Sequence, residues 1–173
     1  DYDSWLGYIY GTGLNACYVE ETKNIAAVTG YAHDAMIVNM EAGMHIGFPM
    51  GAADELLDDG SEIPGDHMFE KLVAGGYLGR VIALTALLLS ERGVFSYPAA
   101  HALRRVEAFT LADIGEFLDG GEFQDGEDDP IAGMDEQDRE ILLTLCDRLY
   151  ERAAKLVVLS IAAVLTHIGK EKM

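Results

Sequence analysis

Basic residues are scarce in this chain of 173 residues: 12 Lys and Arg stand against 30 Asp and Glu, for a net charge of −18. A surface so negative repels a phosphate backbone, which sets nucleic acid aside as a partner. Cysteine is rarer still. Cys17 and Cys146 lie far apart in no metal-like spacing. Two isolated thiols build no disulfide framework, so a reducing, cytoplasmic setting is the expected localisation. The five histidines (His33, His45, His67, His101, His167) form no i,i+4 or HxH pair, and no metal site is expected within the chain. Long apolar runs are missing too. The longest, residues 156–165, is interrupted by Ser160, and a membrane span needs about 20 residues. The first residues have neither the basic start nor the apolar run of a secretory leader. The chain opens on Asp1 rather than on methionine, which hints at a piece of a longer polypeptide. Proline is sparse, at 4, while half of the residues are hydrophobic. That balance excludes a disordered or fibrous chain and leaves one globular domain with a real core.

Residues 5–10 are aromatic and β-rich, Gly11-Thr12-Gly13 interrupts them, and alternation resumes over residues 15–20. This reads as a hairpin turning on glycine. Short β-type runs at residues 25–29 and 36–40 extend it to an antiparallel meander of three or four strands. Residues 43–59 read mainly as loop. Pro64-Gly65-Asp66 reads as a turn with Asp66 as N-cap. Phe69, Leu72, Val73, Tyr77, Val81, Leu84 and Leu88 then recur at helical steps until Gly93. Gly75-Gly76 weakens the middle of that helix by about 1 kcal/mol per glycine, and a close approach of helix to sheet is the plainest reason for the pair. A short amphipathic helix is predicted over residues 111–118, and an acidic, Gly-rich surface loop over 119–134. Asp135 caps a long helix to about residue 168, with a stripe at Ile141, Leu145 and Leu149. From Ala153 onward that helix is apolar nearly all round, as in a helix buried inside a larger protein. Strands first and helices afterwards make an α/β or α+β domain.

Four features carry chemistry. Gly11-Thr12-Gly13 lets the backbone approach an anion and adds a hydroxyl donor, although by spacing alone an ordinary hairpin turn is the stronger reading. Asn15 offers amide donors and an acceptor to a sugar hydroxyl, or simply stabilises the turn. Glu41, at a strand's end, is a polyol acceptor or a solvated acid. Glu70, near a helix start, is an acceptor or a charge favoured by the helix end.

Together these features change meaning. The run from Gly11 through Asn15 to Glu20, read as GTGLNACYVE, resembles the GTGxNACYxE segment of hexokinases and glucokinases. IVNMEAG, from Ile37 to Gly43, resembles that family's INxEWG strand end. FEKLVAGGYLG, from Phe69 to Gly79, resembles its FEKMxSGxYLGE helix. The resemblance is strong over residues 7–97, loose over 98–134, and helical only in general character over 135–168.

It implies a ribonuclease-H-like α/β fold of the actin and hexokinase type. Residues 1–173 would form most of the large, C-terminal domain, without the small one. Asn15, Glu41 and Glu70 match residues that hydrogen-bond the sugar. Gly11, Thr12 and Gly13 match the contact to ATP phosphate, and Thr110 matches a threonine near the nucleotide. The implied reaction is transfer from Mg-ATP to the 6-hydroxyl of glucose or a related hexose, the entry step of glycolysis. The implied partners are hexose, ATP and the remainder of the hexokinase chain. In the family the general-base Asp lies in an Asn-Asp-Thr segment shortly before the GTG turn, and nothing in residues 1–10 matches it. The isolated chain is therefore expected to be inactive. A non-catalytic sugar sensor, or an interaction module without a ligand, is the alternative. Two departures lie within the motifs: Ala42 stands where the family has Trp, and Arg80 where it has Glu.

Overall fold

Alternation in the first segment builds a three-stranded antiparallel sheet of β1 (Leu6–Tyr10), β2 (Leu14–Glu21) and β3 (Ala35–Asn39), in that order. The computed structural model describes residues 5–120, 131 and 134–169. β1 and β2 meet across the glycine turn with Tyr10 opposite Leu14, while Cys17 lies opposite Asn39 across β2 and β3. One face of the sheet buries Leu14 and Ala16. Tyr8 and Tyr18, on the same face by the period of two, bond to Ser160 and His167 of the last helix. The opposite face carries Ile9 and Ile37, 68% and 69% exposed.

Residues 25–29, expected as a strand, form a turn instead: Ile25 donates to the Thr22 carbonyl, and Val28 to that of Ile25. β1 and β3 already occupy both edges of β2, so this apolar run has no central strand to join.

Among the described residues six α-helices follow: α1 (Ala52–Asp59), α2 (Met68–Val73), α3 (Gly75–Glu91), α4 (Tyr97–Leu103), α5 (Leu111–Leu118) and α6 (Glu136–His167). Three of the expectations need correction. Residues 43–59 are not mainly loop, because α1 forms there. Asp54 and Glu55 sit in its first turn, where carboxylates favour the positive helix end, and Asp54 accepts the Gly51 amide at 2.8 Å. The predicted helix over 66–93 is two helices. Ala74 is extended (φ −72°, ψ 148°) and breaks the chain between α2 and α3. The break shifts the buried stripe of α3 to Leu78, Val81, Ile82, Ala83 and Ala86, away from Tyr77, Leu84 and Leu88. The N-cap of α2 is His67, in the left-handed region at φ 50°, and Asp66 accepts the His67 amide just outside the helix. Gly93, at φ 72°, does end the segment after α3. α5 falls where it was predicted. Asp135 caps α6 by accepting the Asp138 amide at 2.9 Å. Most of the predicted 119–134 loop lies outside the described residues.

The core gathers Phe69, Leu72, Ile82, Leu103, Ile114 and Leu142, each at most 2% exposed. Burying each of these is worth about 2 kcal/mol. Two charge pairs, each with one buried partner, lock α1 in place. Arg152 of α6 grips Asp54 with two bonds of 2.8 and 2.9 Å. Lys71 of α2 donates to Asp58 at 2.6 Å and to the Ile63 carbonyl at 2.7 Å. Along the second half of α6, Ala153, Val157 and Val164 are buried, whereas Val158 and Leu159 are 62% and 59% exposed. Among the described residues no helix is long and apolar enough to cross a membrane.

Candidate functional site

The end of β3 brings two of the predicted residues face to face. Met40 donates to the Ala16 carbonyl at 2.9 Å, one step past the strand. The same register, continued once more, sets Asn15 opposite Glu41. Glu41 leaves the strand in the left-handed region (φ 48°, ψ 48°), and a single 3-10 turn at Ala42–Met44 follows. That turn presents the Ala42 amide to Asn15 Oδ1 at 3.1 Å.

Asn15 Oδ1 also takes the Ala16 amide at 2.7 Å, so both of its lone pairs are engaged. Its Nδ2 donates to Asn39 Oδ1 at 2.8 Å, and Asn39 Nδ2 donates to Glu41 Oε1 at 2.6 Å. The consequence is chemical. Asn15 has one N–H left and no acceptor, so it meets a ligand hydroxyl only as a donor. Glu41 keeps Oε2 as an acceptor.

Glu70 enters from α2. Its Oε2 accepts the Leu14 amide at 2.8 Å, leaving Oε1 as a second acceptor. Glycines leave it room in this orientation: a Cβ on Gly13 would lie 2.8 Å from Glu70 Oε2 and displace that oxygen, and one on Gly43 would lie 3.1 Å from Glu70 Cβ. Asn15, Glu41 and Glu70 thus come from β2, the end of β3 and α2 into one linked patch. Asn39, which joins two of them, was missed. Its sole signal in the sequence was membership of the Ile37-to-Gly43 motif.

The glycine turn lies beside this patch and rests on the start of α3. Gly75 donates to the Gly11 carbonyl at 2.7 Å and Gly76 to that of Thr12 at 3.0 Å. A Cβ on Gly76 would stand 2.7 Å from Thr12 O. The paired glycines therefore serve the close approach expected of them. They also use the first amides of α3, whose positive end polarises the turn from behind. A cleft of about 600 Å³ opens here between Tyr10, Gly11, Thr12, Gly75, Leu111 and Tyr150. Thr110, the fourth predicted nucleotide contact, caps α5 immediately before Leu111, accepting the Asp113 amide at 3.1 Å.

Among the described residues no basic side chain lines this cleft. Burial raises the phenols of Tyr10 and Tyr150 above their ordinary range, so neither is a base near neutral pH. Among the described residues no group of three or more His, Cys, Asp or Glu converges on a metal position.

The hexokinase family model matches residues 5–173. This chain belongs to the hexokinase family. It is 30% identical over 189 residues to hexokinase-1 of Oryza sativa subsp. japonica, which covers 98% of this chain and 36% of the rice protein. It is equally similar to hexokinase-2 of Homo sapiens, over 99% of this chain and 20% of the human one. A solved hexokinase from Schistosoma mansoni, complexed with glucose, superposes at a TM-score of 0.72 with 23% identity. That match covers 95% of this chain and 40% of the Schistosoma chain. The fold, an antiparallel meander followed by helices, is therefore the hexokinase fold, and the chain spans between a fifth and two fifths of these relatives. Its two departures from the hexokinase motifs differ in setting. Arg80 is exposed on α3. Ala42 lines a cavity of about 560 Å³ beside Glu41, together with Met44, Phe48, Phe69 and Leu159.

Proposed function

We propose that the protein carrying this chain is an ATP-dependent hexose kinase that phosphorylates glucose or a related hexose at its 6-hydroxyl. The observation that carries this reading is the convergence of Asn15, Glu41 and Glu70 in one patch contiguous with the glycine turn. One amide donor and two carboxylate acceptors suit neighbouring hydroxyls of a polyol, each of which both gives and takes a hydrogen bond. The carboxylates hold and orient the sugar as acceptors. The Thr12 hydroxyl and the Thr12 and Gly13 amides suit a phosphate oxygen, the Gly11 amide being taken by the Gly13 carbonyl at 3.0 Å, with Thr110 near the nucleotide. Open space around Gly11, where an added Cβ would meet nothing within 4 Å, fits a phosphate group at the turn. Mg-ATP supplies the transferred phosphoryl group.

Phosphoryl transfer needs positioning, a base for the attacking hydroxyl and neutralisation of phosphate charge. These residues supply positioning and one edge of a phosphate cradle. The general base then comes from a segment outside residues 1–173, these residues form most of the large domain, and the 173-residue chain by itself forms no hexose phosphate. The setting in this reading is cytoplasmic. The test is to supply the full-length protein with Mg-ATP and a panel of hexoses and to measure hexose 6-phosphate and ADP together. Stoichiometric formation of both with at least one hexose supports the reading. Absence of hexose-dependent ADP release refutes it.

A further inference from the structure

We propose that Asn39 is a positioning residue for the hexose site, fixing the Glu41 carboxylate and the Asn15 amide in the orientations a sugar meets. The inference rests on the proposed hexose-binding reading and deepens it. Asn39 is exposed on an edge strand and contributes nothing to the core. Both ends of its amide are nonetheless committed: Oδ1 accepts from Asn15 Nδ2 at 2.8 Å, and Nδ2 donates to Glu41 Oε1 at 2.6 Å.

The chain of bonds has a direction. The backbone amides of Ala16 and Ala42 hold Asn15 Oδ1, which turns Nδ2 toward Asn39. Asn39 must then present its oxygen to Asn15, and so its N–H to Glu41. A solvent-exposed glutamate otherwise samples several rotamers, and ordering it on binding costs affinity. Glu41 also stands on a left-handed backbone, where a residue with a Cβ is strained. A side chain that pins its carboxylate in the unliganded protein removes part of the ordering cost.

The test compares Asn39→Ala, Asn39→Asp and Glu41→Gln in the full-length protein at pH 8, using glucose and a set of monodeoxyglucoses. Asn39→Ala is expected to raise the hexose KM about tenfold and to change the ATP KM by less than about twofold. Asn39→Asp is the closer isostere, yet it is expected to be the worse variant. It keeps an acceptor for Asn15 but sets a carboxylate against Glu41, where like charges repel. Asn39→Ala is further expected to erase discrimination against the deoxy sugar that Glu41→Gln also fails to reject, because it frees the same carboxylate. A merely structural role predicts the reverse order of the two Asn39 variants and parallel losses on every sugar. Either of those results, or an unchanged hexose KM in both Asn39 variants while Glu41→Gln is impaired, overturns the proposal. If Glu41→Gln itself leaves hexose kinetics unchanged, the hexose-binding reading has failed, and the role of Asn39 falls with it.

Discussion

Replacing Gly79 by alanine tests the packing that sets the cleft. In an exposed helix interior the change from Gly to Ala gains about 1 kcal/mol. Gly79 lies about one turn into α3 and is buried, and an added Cβ would stand 1.9 Å from the Phe109 carbonyl oxygen and 3.0 Å from its carbon. Ordinary contact begins near 3.4 Å, so the two backbones would have to separate by about 1.5 Å. Little can yield. The Phe109 amide donates to the Gly79 carbonyl at 3.2 Å, and the Phe109 ring is in the core, 6% exposed. Overpacking of this kind costs about 3 kcal/mol, and the strained hydrogen bond about 1 more. After the helix gain, a net loss of about 3 kcal/mol remains, which lowers Tm by about 6–12 °C for a chain of this size. Urea unfolding followed by circular dichroism measures it. Gly115→Ala in α5 is the control, since a Cβ there meets nothing within 4 Å. That variant should be stabilised by up to about 1 kcal/mol. A Gly79→Ala protein as stable as the parent would refute the packing argument. Thr110 follows Phe109 directly and caps α5 just before Leu111, which lines the cleft, so the same variant is also expected to disturb that side of the cleft.

Two further predictions concern the charges that lock α1. Arg152→Ala leaves the Asp54 carboxylate, 3% exposed, without its cation, and should cost about 3 kcal/mol in denaturant unfolding; a change below about 1 kcal/mol contradicts the role given to this pair. The Lys71 ammonium beside Asp58, aided by the Gly65 amide, holds the Asp58 carboxyl below its ordinary 3.8. A depressed carboxylate stabilises the fold above its unfolded value, and that contribution is lost as pH falls through the folded value. The stability gap between the parent and Asp58→Asn should therefore be constant from neutral pH to about pH 5 and close below pH 3.8. A gap that persists unchanged to pH 2 would exclude Asp58 as its source.

Legibility from sequence followed how local each determinant is. α6 was readable because Asp135 caps it through a bond to a residue three positions on, and α5 because its amphipathic pattern is local; its Thr110 cap is seen in the structure alone. The hairpin was readable because its glycine turn separates two alternating strands. The break at Ala74 was not, because alanine is a strong helix former and the cause lies elsewhere: the carbonyls of Gly11 and Thr12 take the Gly75 and Gly76 amides. α1 was hidden by an acidic, Gly-rich composition that reads as loop. For the candidate site, Asn15, Glu41 and Glu70 were nominated through motifs, since on its own Asn15 reads equally as a turn residue, and Glu41 and Glu70 read more readily as a strand terminus and a helix end. Asn39 required the register between β2 and β3, which no local window contains.

The most direct test of the proposed hexose site is the steady-state kinetics of Glu70→Gln in the full-length protein, with hexose and ATP varied separately. The glutamine carbonyl can still accept the Leu14 amide, so the variant removes the charge and one acceptor while leaving the packing around Gly13 and Gly43 in place. The account predicts a fall in kcat/KM for hexose of about tenfold or more, with the KM for ATP nearly unchanged. Hexose kinetics equal to those of the parent, or a loss confined to ATP, would contradict it.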